Sequence, residues 1–374
     1  MGAPISEVPA CISVMLNAAL AGYFLCGVAY GVLLIVRRSK MPCFLRVILY
    51  LLSLEHGTAL LLRWALTGRP PLISAYEMLI SIAWLLPIVW LIVERYARLP
   101  LVGAVCYILA ALALAYGNVL DRTITPLMPA LQSNWLSAHI FTYLVAYAGA
   151  LVAFVLAVLY LAQEDSAHRV AISLISGVLL SSVILGFDVN QNLVVLGSVP
   201  VVGFIGLAAL GGMLTLVPLW RLFGYLVSKI PYAIPTSPDL MNRVVGFTFP
   251  FFTLGIVTGA VWAEQAWGTY WSWDNKENWA LITWTLYAAA LHSVYVMKWR
   301  RAMSVYLVIA GFFAIMITWL GVNYLPFLRD PLHSYVSGSA SLEEARWGFG
   351  LYPKAGLVSL VLSAILLVRR KPDS

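Results

Sequence analysis

The chain alternates long apolar stretches with short polar breaks. Runs of about twenty apolar residues recur along it, and each is long enough to cross the hydrocarbon core of a bilayer as a helix. We therefore expect an all-α, polytopic integral membrane helix bundle of about eleven transmembrane helices, forming a single membrane domain over residues 1–374. The predicted spans lie near residues 12–36, 45–66, 76–93, 99–116, 139–162, 170–187, 192–219, 245–263, 279–297, 304–324 and 354–368.

Composition agrees with this pattern. Hydrophobic residues make up 62% of the chain and charged residues only 10%, with a mean hydropathy of +0.89. Soluble domains carry about 25% charged residues, so a water-soluble body of this size is excluded. The net charge of +7 does not indicate nucleic-acid binding, because the basic residues stand in short loops between apolar runs. The four cysteines form no CxxC pair, so neither a zinc site nor a redox motif is predicted.

The distribution of lysine and arginine predicts the orientation. With the N-terminus outside, most basic residues fall in loops on the inner side, as the positive-inside rule requires. An odd number of spans then leaves the C-terminus inside. Three polar segments, near 117–138, 264–278 and 325–353, are expected at the outer face.

Tryptophan is concentrated in the segment from Trp262 to Trp284, which contains six of the fourteen tryptophans. An aromatic belt at the membrane interface is one explanation. A flat apolar platform for a planar ligand is the other, with Asp274, Lys276 and Glu277 as polar edge groups. The sequence pattern alone leaves both open.

Histidines add to the second explanation. His139 begins the fifth span directly after an outer loop, and His333 lies in the last outer loop, so both share the predicted face of the tryptophan segment. Two histidines beside an aromatic platform could ligate one haem iron, whereas either alone reads as an ordinary imidazole.

Four further polar residues lie within predicted spans. His292 and His56 are candidates for a second, membrane-embedded haem site, because ionisable groups in hydrocarbon usually serve a function. For His56 a polar pair with Glu55 is the alternative. Arg63 and Glu77 are interpreted as a salt bridge between spans two and three, with contact to haem propionates as the alternative.

Several segments carry a family resemblance, among them WGTYWSWDNKENWALITW, SNWLSAHIFTYLVAYAGA, LHSVYVMKW and GVNYLPFLRDPLHSY. They resemble the haem-handling proteins with a tryptophan-rich "WWD" motif, in particular the CcsA (ResC) family of System II cytochrome c synthase subunits. The resemblance covers most of residues 56–335. It implies a haem-handling core at about 43–353. The apolar hairpin at 170–219 departs from the family pattern and is interpreted as an extra pair of helices.

The resemblance also implies a site and a mechanism. His139 and His333 would be axial ligands of a haem b at the outer face, and His292 would hold haem within the membrane; His56 is not needed by the family scheme. Haem would be exported and presented for thioether attachment to the CxxCH motif of apocytochrome c. The residues expected to surround the haem are Trp262, Trp267, Gly268, Tyr270, Trp271, Trp273, Asp274, Glu277 and Trp279.

Partners and location follow from the same resemblance. A CcsB (ResB)-like subunit and a separate thiol-reducing protein are implied, in a bacterial plasma membrane or a thylakoid. One departure is Asn275, where the family motif usually reads WDPKE. Two rival functions are a haem exporter or chaperone without attachment activity, and a transporter of a non-haem solute that uses His292 and His56 as a proton relay.

Overall fold

A computed structural model describes residues 9–37, 42–120, 122–124, 127–161, 225, 229, 237–297 and 301–321. Within these ranges the regular structure is helical and no strand occurs, which confirms the all-α prediction. A 3₁₀ turn occurs at Pro129–Leu131 and a π-helical turn at Ile317–Gly321. The helices are α1 (Ala10–Ile35), α2 (Cys43–Thr67), α3 (Ala75–Val93), α4 (Pro100–Gly117), α5 (Asn134–Leu161), α6 (Asp239–Trp267), α7 (Asn275–Tyr295) and α8 (Arg301–Met316).

Each of these helices coincides with a predicted span. Seven segments of the described structure are long and apolar enough to cross a membrane: α1 to α6, and the stretch Ala302–Trp319 that runs from α8 into the π-helical turn. The exception is α7, whose first turn is the polar sequence NKEN. The predicted spans at 170–187, 192–219 and 354–368 lie outside the described residues, so the total of about eleven and the orientation remain predictions.

The bundle packs helix against helix in a partly sequential order. α1 packs on α2 and α4, α3 on α4 and α5, and α5 on α6, while α7 and α8 pack on each other and close the bundle against α6 and α5. The apolar side chains at these contacts form one continuous core. All the described helices therefore belong to a single packed unit.

Local signals fix the helix ends that surround the site. α2 ends at Gly68 and α6 at Gly268, both in the left-handed conformation (φ 69° and 74°) that glycine adopts without steric cost. α3 begins with a capping box, in which the Ser74 side chain accepts from the Glu77 backbone N–H and Glu77 accepts from the Ser74 N–H.

A buried ion pair joins α2 to α3, as the sequence predicted. The Arg63 guanidinium donates to the Glu77 carboxylate from Nη2 at 3.0 Å and from Nε at 3.3 Å, and each side chain is only 1% exposed. Arg69 contributes a second cation, at 2.8 Å from the other carboxylate oxygen. The interpretation of Glu77 as a structural residue is thereby confirmed.

Candidate functional site

One end of the bundle carries an open, largely apolar cavity. It lies where α5 and α7 begin and where α6 ends, with the π-helical turn on one side and the loop before α3 on another. Its empty space, part of which opens to the surroundings, is about 1100 Å³. The lining side chains include those of His139, Tyr143, Tyr270, Trp271, Lys276 and Glu277.

His139 lies on the wall of this cavity in the second turn of α5. Its Nδ1 is 2.7 Å from the carbonyl oxygen of Gly255 on α6. Because a carbonyl can only accept, Nδ1 must carry the proton, and in the neutral ring Nε2 then holds the lone pair. The ring also stacks on Trp262 (centroids 6.2 Å apart, planes 27° apart) and meets the edge of Tyr143 at 4.9 Å.

Trp262 and Trp267 form an aromatic wall behind His139. Trp262 is 2% exposed, and its Nε1 donates to the carbonyl of Ala130 at 2.8 Å, which ties the end of α6 to the 3₁₀ turn. Trp267 meets Trp262 edge to face at 4.8 Å. These two tryptophans therefore pack behind His139 and support the cavity wall without lining it.

The loop between α6 and α7 brings two more aromatic residues to the cavity. Tyr270 and Trp271 both line it. Trp271 meets Trp273 nearly at right angles, and Trp273 has a positive φ of 60°, which is unusual for a side chain of its size. The Trp271 indole N–H is buried and has no hydrogen-bond partner among the described residues, so its bonding capacity is unused within that part of the chain.

Asp274 and Glu277 form a second capping box, at the start of α7. Oδ1 of Asp274 accepts from the Glu277 N–H at 2.7 Å, and Oε2 of Glu277 accepts from the N–H groups of Ser272 at 2.7 Å and Asp274 at 3.4 Å. Asp274 is 1% exposed. Its visible role is therefore to shape the loop, while Lys276 and Glu277 reach the cavity. Asn275 occupies the first helical position, where proline is also favoured, so the departure from WDPKE leaves the box intact.

The tryptophan segment thus divides into two parts. Trp284 lies within the bundle, where its Nε1 donates to Thr253 Oγ1 at 3.0 Å and its ring packs on Phe249. Trp279 is half-buried in the second turn of α7 and is not among the described residues lining the cavity. Of the six tryptophans in this segment, Trp271 is therefore the one that lines the cavity in the described structure.

The structure places His292 and His56 apart from the cavity. His292 is exposed in the last turn of α7, about 22 Å along the helix from Glu277 at 1.5 Å per residue. His56 is fully buried, with Nδ1 3.1 Å from the Tyr23 hydroxyl; its partner is Tyr23 and not Glu55, whose carboxylate oxygens are buried without a hydrogen bond. His333 lies outside the described residues.

Sequence reasoning missed several residues of the site. Tyr143, Tyr147 and Trp319 line the cavity, and Gly255 and Gly259 of α6 lie directly against α5. The glycines have a recognisable signal, the GxxxG spacing that marks close helix contacts in membranes. The aromatic residues are indistinguishable from core residues in the sequence.

Fold and site together define a class: a polytopic helical membrane protein with an aromatic, histidine-bearing cavity at one end of its bundle. Comparison with known proteins makes this specific. Residues 72–328 match the family described as cytochrome c assembly protein, and the chain belongs to that family. The resemblance found in the sequence is thereby confirmed.

Individual relatives agree. The cytochrome c biogenesis protein CcsA of Microcystis aeruginosa is 35% identical over 279 residues, which cover 73% of this chain and 81% of the relative. CcsA of Synechocystis sp. is 35% identical over 292 residues, covering 74% and 84%. CcsA of Pyropia yezoensis is 33% identical over 280 residues, covering 73% and 81%. Family membership places the chain in cytochrome c biogenesis, as an integral membrane protein that handles haem.

Proposed function

We propose that the cavity binds haem b and presents it for covalent attachment to the CxxCH motif of apocytochrome c. The observation that carries this proposal is the state of His139: a histidine on an apolar cavity wall, with Nδ1 bound to a carbonyl and Nε2 holding the lone pair. This is the arrangement of an imidazole that ligates a metal. His333 is proposed as the second axial ligand.

The cavity suits haem in three respects. Its lining is predominantly apolar, as the faces of a porphyrin require, and Trp271 and Tyr270 add flat aromatic surface. The unused N–H of Trp271 offers a donor to an acidic group of the ligand. Lys276, on the same wall, adds a positive charge that favours the two propionates.

In this scheme haem is the substrate and supplies the vinyl groups. Each cysteine thiol of the apocytochrome adds across one vinyl double bond, so that a carbon–sulfur bond forms and the thiol hydrogen passes to the other vinyl carbon. The protein's own contribution is to hold the porphyrin by its iron and its faces, with an edge open to the peptide. Ligation by His139 sets the depth of the ring in the cavity.

The partners belong to the same proposal. His292 is exposed at the far end of α7, where a second membrane subunit resembling CcsB (ResB) could share the handling of incoming haem. Each of the cysteines in the described residues is a free thiol, so the reductant that keeps the apocytochrome thiols reduced is proposed to be another protein. The active face is proposed to be periplasm-like, in a bacterial plasma membrane or a thylakoid.

Absorption spectroscopy tests haem binding. The full chain, co-expressed with its partner under haem-replete conditions, should purify with a low-spin Soret band that His139→Ala diminishes. His56→Gln is the matched control, because His56 is buried away from the cavity. A parent protein without a Soret band would refute haem binding and favour a non-haem transporter.

A reporter apocytochrome c in the same cells separates attachment from export. We expect covalent haem on the reporter with the parent protein and loss of it with His139→Ala. Haem bound to the protein but never transferred to the reporter would favour an exporter or chaperone.

A further inference from the structure

Two glycines of α6 form a notch that receives one face of α5. Gly255 and Gly259 are four residues apart, so they lie one above the other on the same side of the helix. On α5, His139 and Tyr143 have the same spacing and oppose them. We define the Gly255–Gly259 notch as this pair of positions.

The fit leaves no room for a side chain at either glycine. A Cβ at Gly255 would lie 2.7 Å from two ring carbons of Tyr143, closer than real Cβ contacts come. A Cβ at Gly259 would overlap Nδ1 and Cε1 of His139. The imidazole therefore occupies the space in which any other residue at 259 would place its side chain.

That position gives His139 access to a helix backbone. The Gly255 carbonyl is the one that α-helical geometry pairs with the N–H of Gly259, and it also accepts from Thr258 Oγ1 at 3.3 Å. His139 Nδ1 is a third donor, and it reaches this carbonyl at 2.7 Å because Gly259 has no side chain in the way. A helix carbonyl is also held rigidly, unlike the flexible carboxylate or water that orients many metal-binding histidines.

We propose that the Gly255–Gly259 notch is a positioning element for haem ligation: it fixes the His139 ring orientation and the Nδ1–H tautomer, so that Nε2 is the iron ligand. This inference rests on the proposed haem site. Gly259 also lies on the cavity wall, but the proposal assigns neither glycine a contact with haem. Both act through His139, and their effect on haem is indirect.

Gly259→Ala tests the notch in the full chain co-expressed with its partner. We expect the low-spin Soret band to fall as in His139→Ala, with haem retention weakened ~10- to 100-fold, the usual effect of losing the group that orients a metal ligand. Gly246→Ala is the matched control, because it lies on the same helix and a Cβ there meets nothing within 4 Å. It should leave the spectrum unchanged and should not lower the stability, because alanine favours a helix more than glycine does.

A double substitution shows whether the effect passes through His139. We expect Gly259→Ala to lower the stability of the haem-free protein, and His139→Ala added to it to restore most of that stability, because removing the ring removes the overlap. The same cycle applies if Gly259→Ala fails to accumulate, since the double variant should then accumulate.

The outcomes separate this inference from the proposed function. A Gly259→Ala protein with the parent spectrum, beside a His139→Ala protein that has lost it, would overturn the notch and leave the haem site standing. So would a stability loss that His139→Ala does not relieve. A His139→Ala protein that keeps the parent spectrum would overturn the haem site itself.

Discussion

Replacing Glu77 with glutamine should destabilise the bundle far more than its single lost charge suggests. The Glu77 carboxylate accepts from Arg63, from Arg69, and from the backbone N–H groups of Ile73 and Ser74, at distances between 2.8 and 3.3 Å. Glutamine has nearly the same shape and can keep a backbone hydrogen bond. It removes the negative charge, however, and leaves the Arg63 cation uncompensated with 1% of its side chain exposed.

The magnitude follows from that burial. Removing one partner of a buried ion pair costs about 3–5 kcal/mol, because the remaining charge keeps its desolvation penalty. Arg69 is 18% exposed and can turn to solvent, so it adds less. We therefore expect Glu77→Gln to lower the free energy of unfolding by about 3–5 kcal/mol.

Unfolding by titration of a denaturing detergent into mild micelles measures this difference. Glu264→Gln is the matched control, since Glu264 is exposed on α6, and it should change the free energy of unfolding by less than ~0.5 kcal/mol. Adding Arg63→Met to Glu77→Gln should recover much of the loss, because an apolar side chain of similar length leaves no buried charge. A loss below about 1 kcal/mol in Glu77→Gln would refute the reasoning.

Three further predictions concern the cavity and the core. Asp274→Ala removes the N-cap of α7 and should lower the free energy of unfolding by about 1 kcal/mol in detergent titration. The Soret band should also weaken, because the loop between α6 and α7 is no longer held at the start of α7. An unchanged spectrum would show that the cap does not affect haem binding. Trp271→Phe removes a buried N–H that has no partner among the described residues, so the haem-free protein should unfold no more easily. Haem retention should nevertheless fall about tenfold, or about 1.4 kcal/mol. Equal haem retention would exclude the indole as a hydrogen-bond donor to haem. Tyr287→Phe deletes a fully buried hydroxyl that has no hydrogen-bond partner among the described residues. It should raise the free energy of unfolding by about 1 kcal/mol in the same titration, and a measured decrease would contradict this expectation.

The parts of the site that the sequence could predict depend on counting spans. His139 follows one predicted outer loop and the tryptophan segment contains another, so alternating helices are expected to bring both to one end of the bundle whatever the tilt of each helix. The structure brings them together, with His139 and Trp271 on the same cavity wall. The Arg63–Glu77 pair was predictable for a similar reason, since short α2–α3 connections make neighbouring helix ends meet.

What the sequence could not provide is register. The hydrogen bond from His139 to Gly255 joins residues 116 positions apart, and it depends on which turn of α5 faces which turn of α6. A shift of α5 by one turn would place Tyr143 or Trp135 over Gly259 with the same apolar pattern. For the same reason the burial of Trp284 between helices could not be told from exposure at the cavity.

The two capping boxes stabilise the starts of α3 and α7 and also hold the loops that precede these helices. Both stand at the cavity end of the bundle, as SAYE before α3 and DNKE before α7, and each glutamate also reaches back to the loop before its helix. Glu77 accepts from the N–H of Ile73 at 3.0 Å, and Glu277 from that of Ser272 at 2.7 Å. Ile73 and Trp271, the neighbour of Ser272, line the cavity from these two loops. Glu77 and Asp274 are each 1% exposed, so water competes little for the groups that they bind. Two short sequence signals therefore hold both loops of the cavity wall in place.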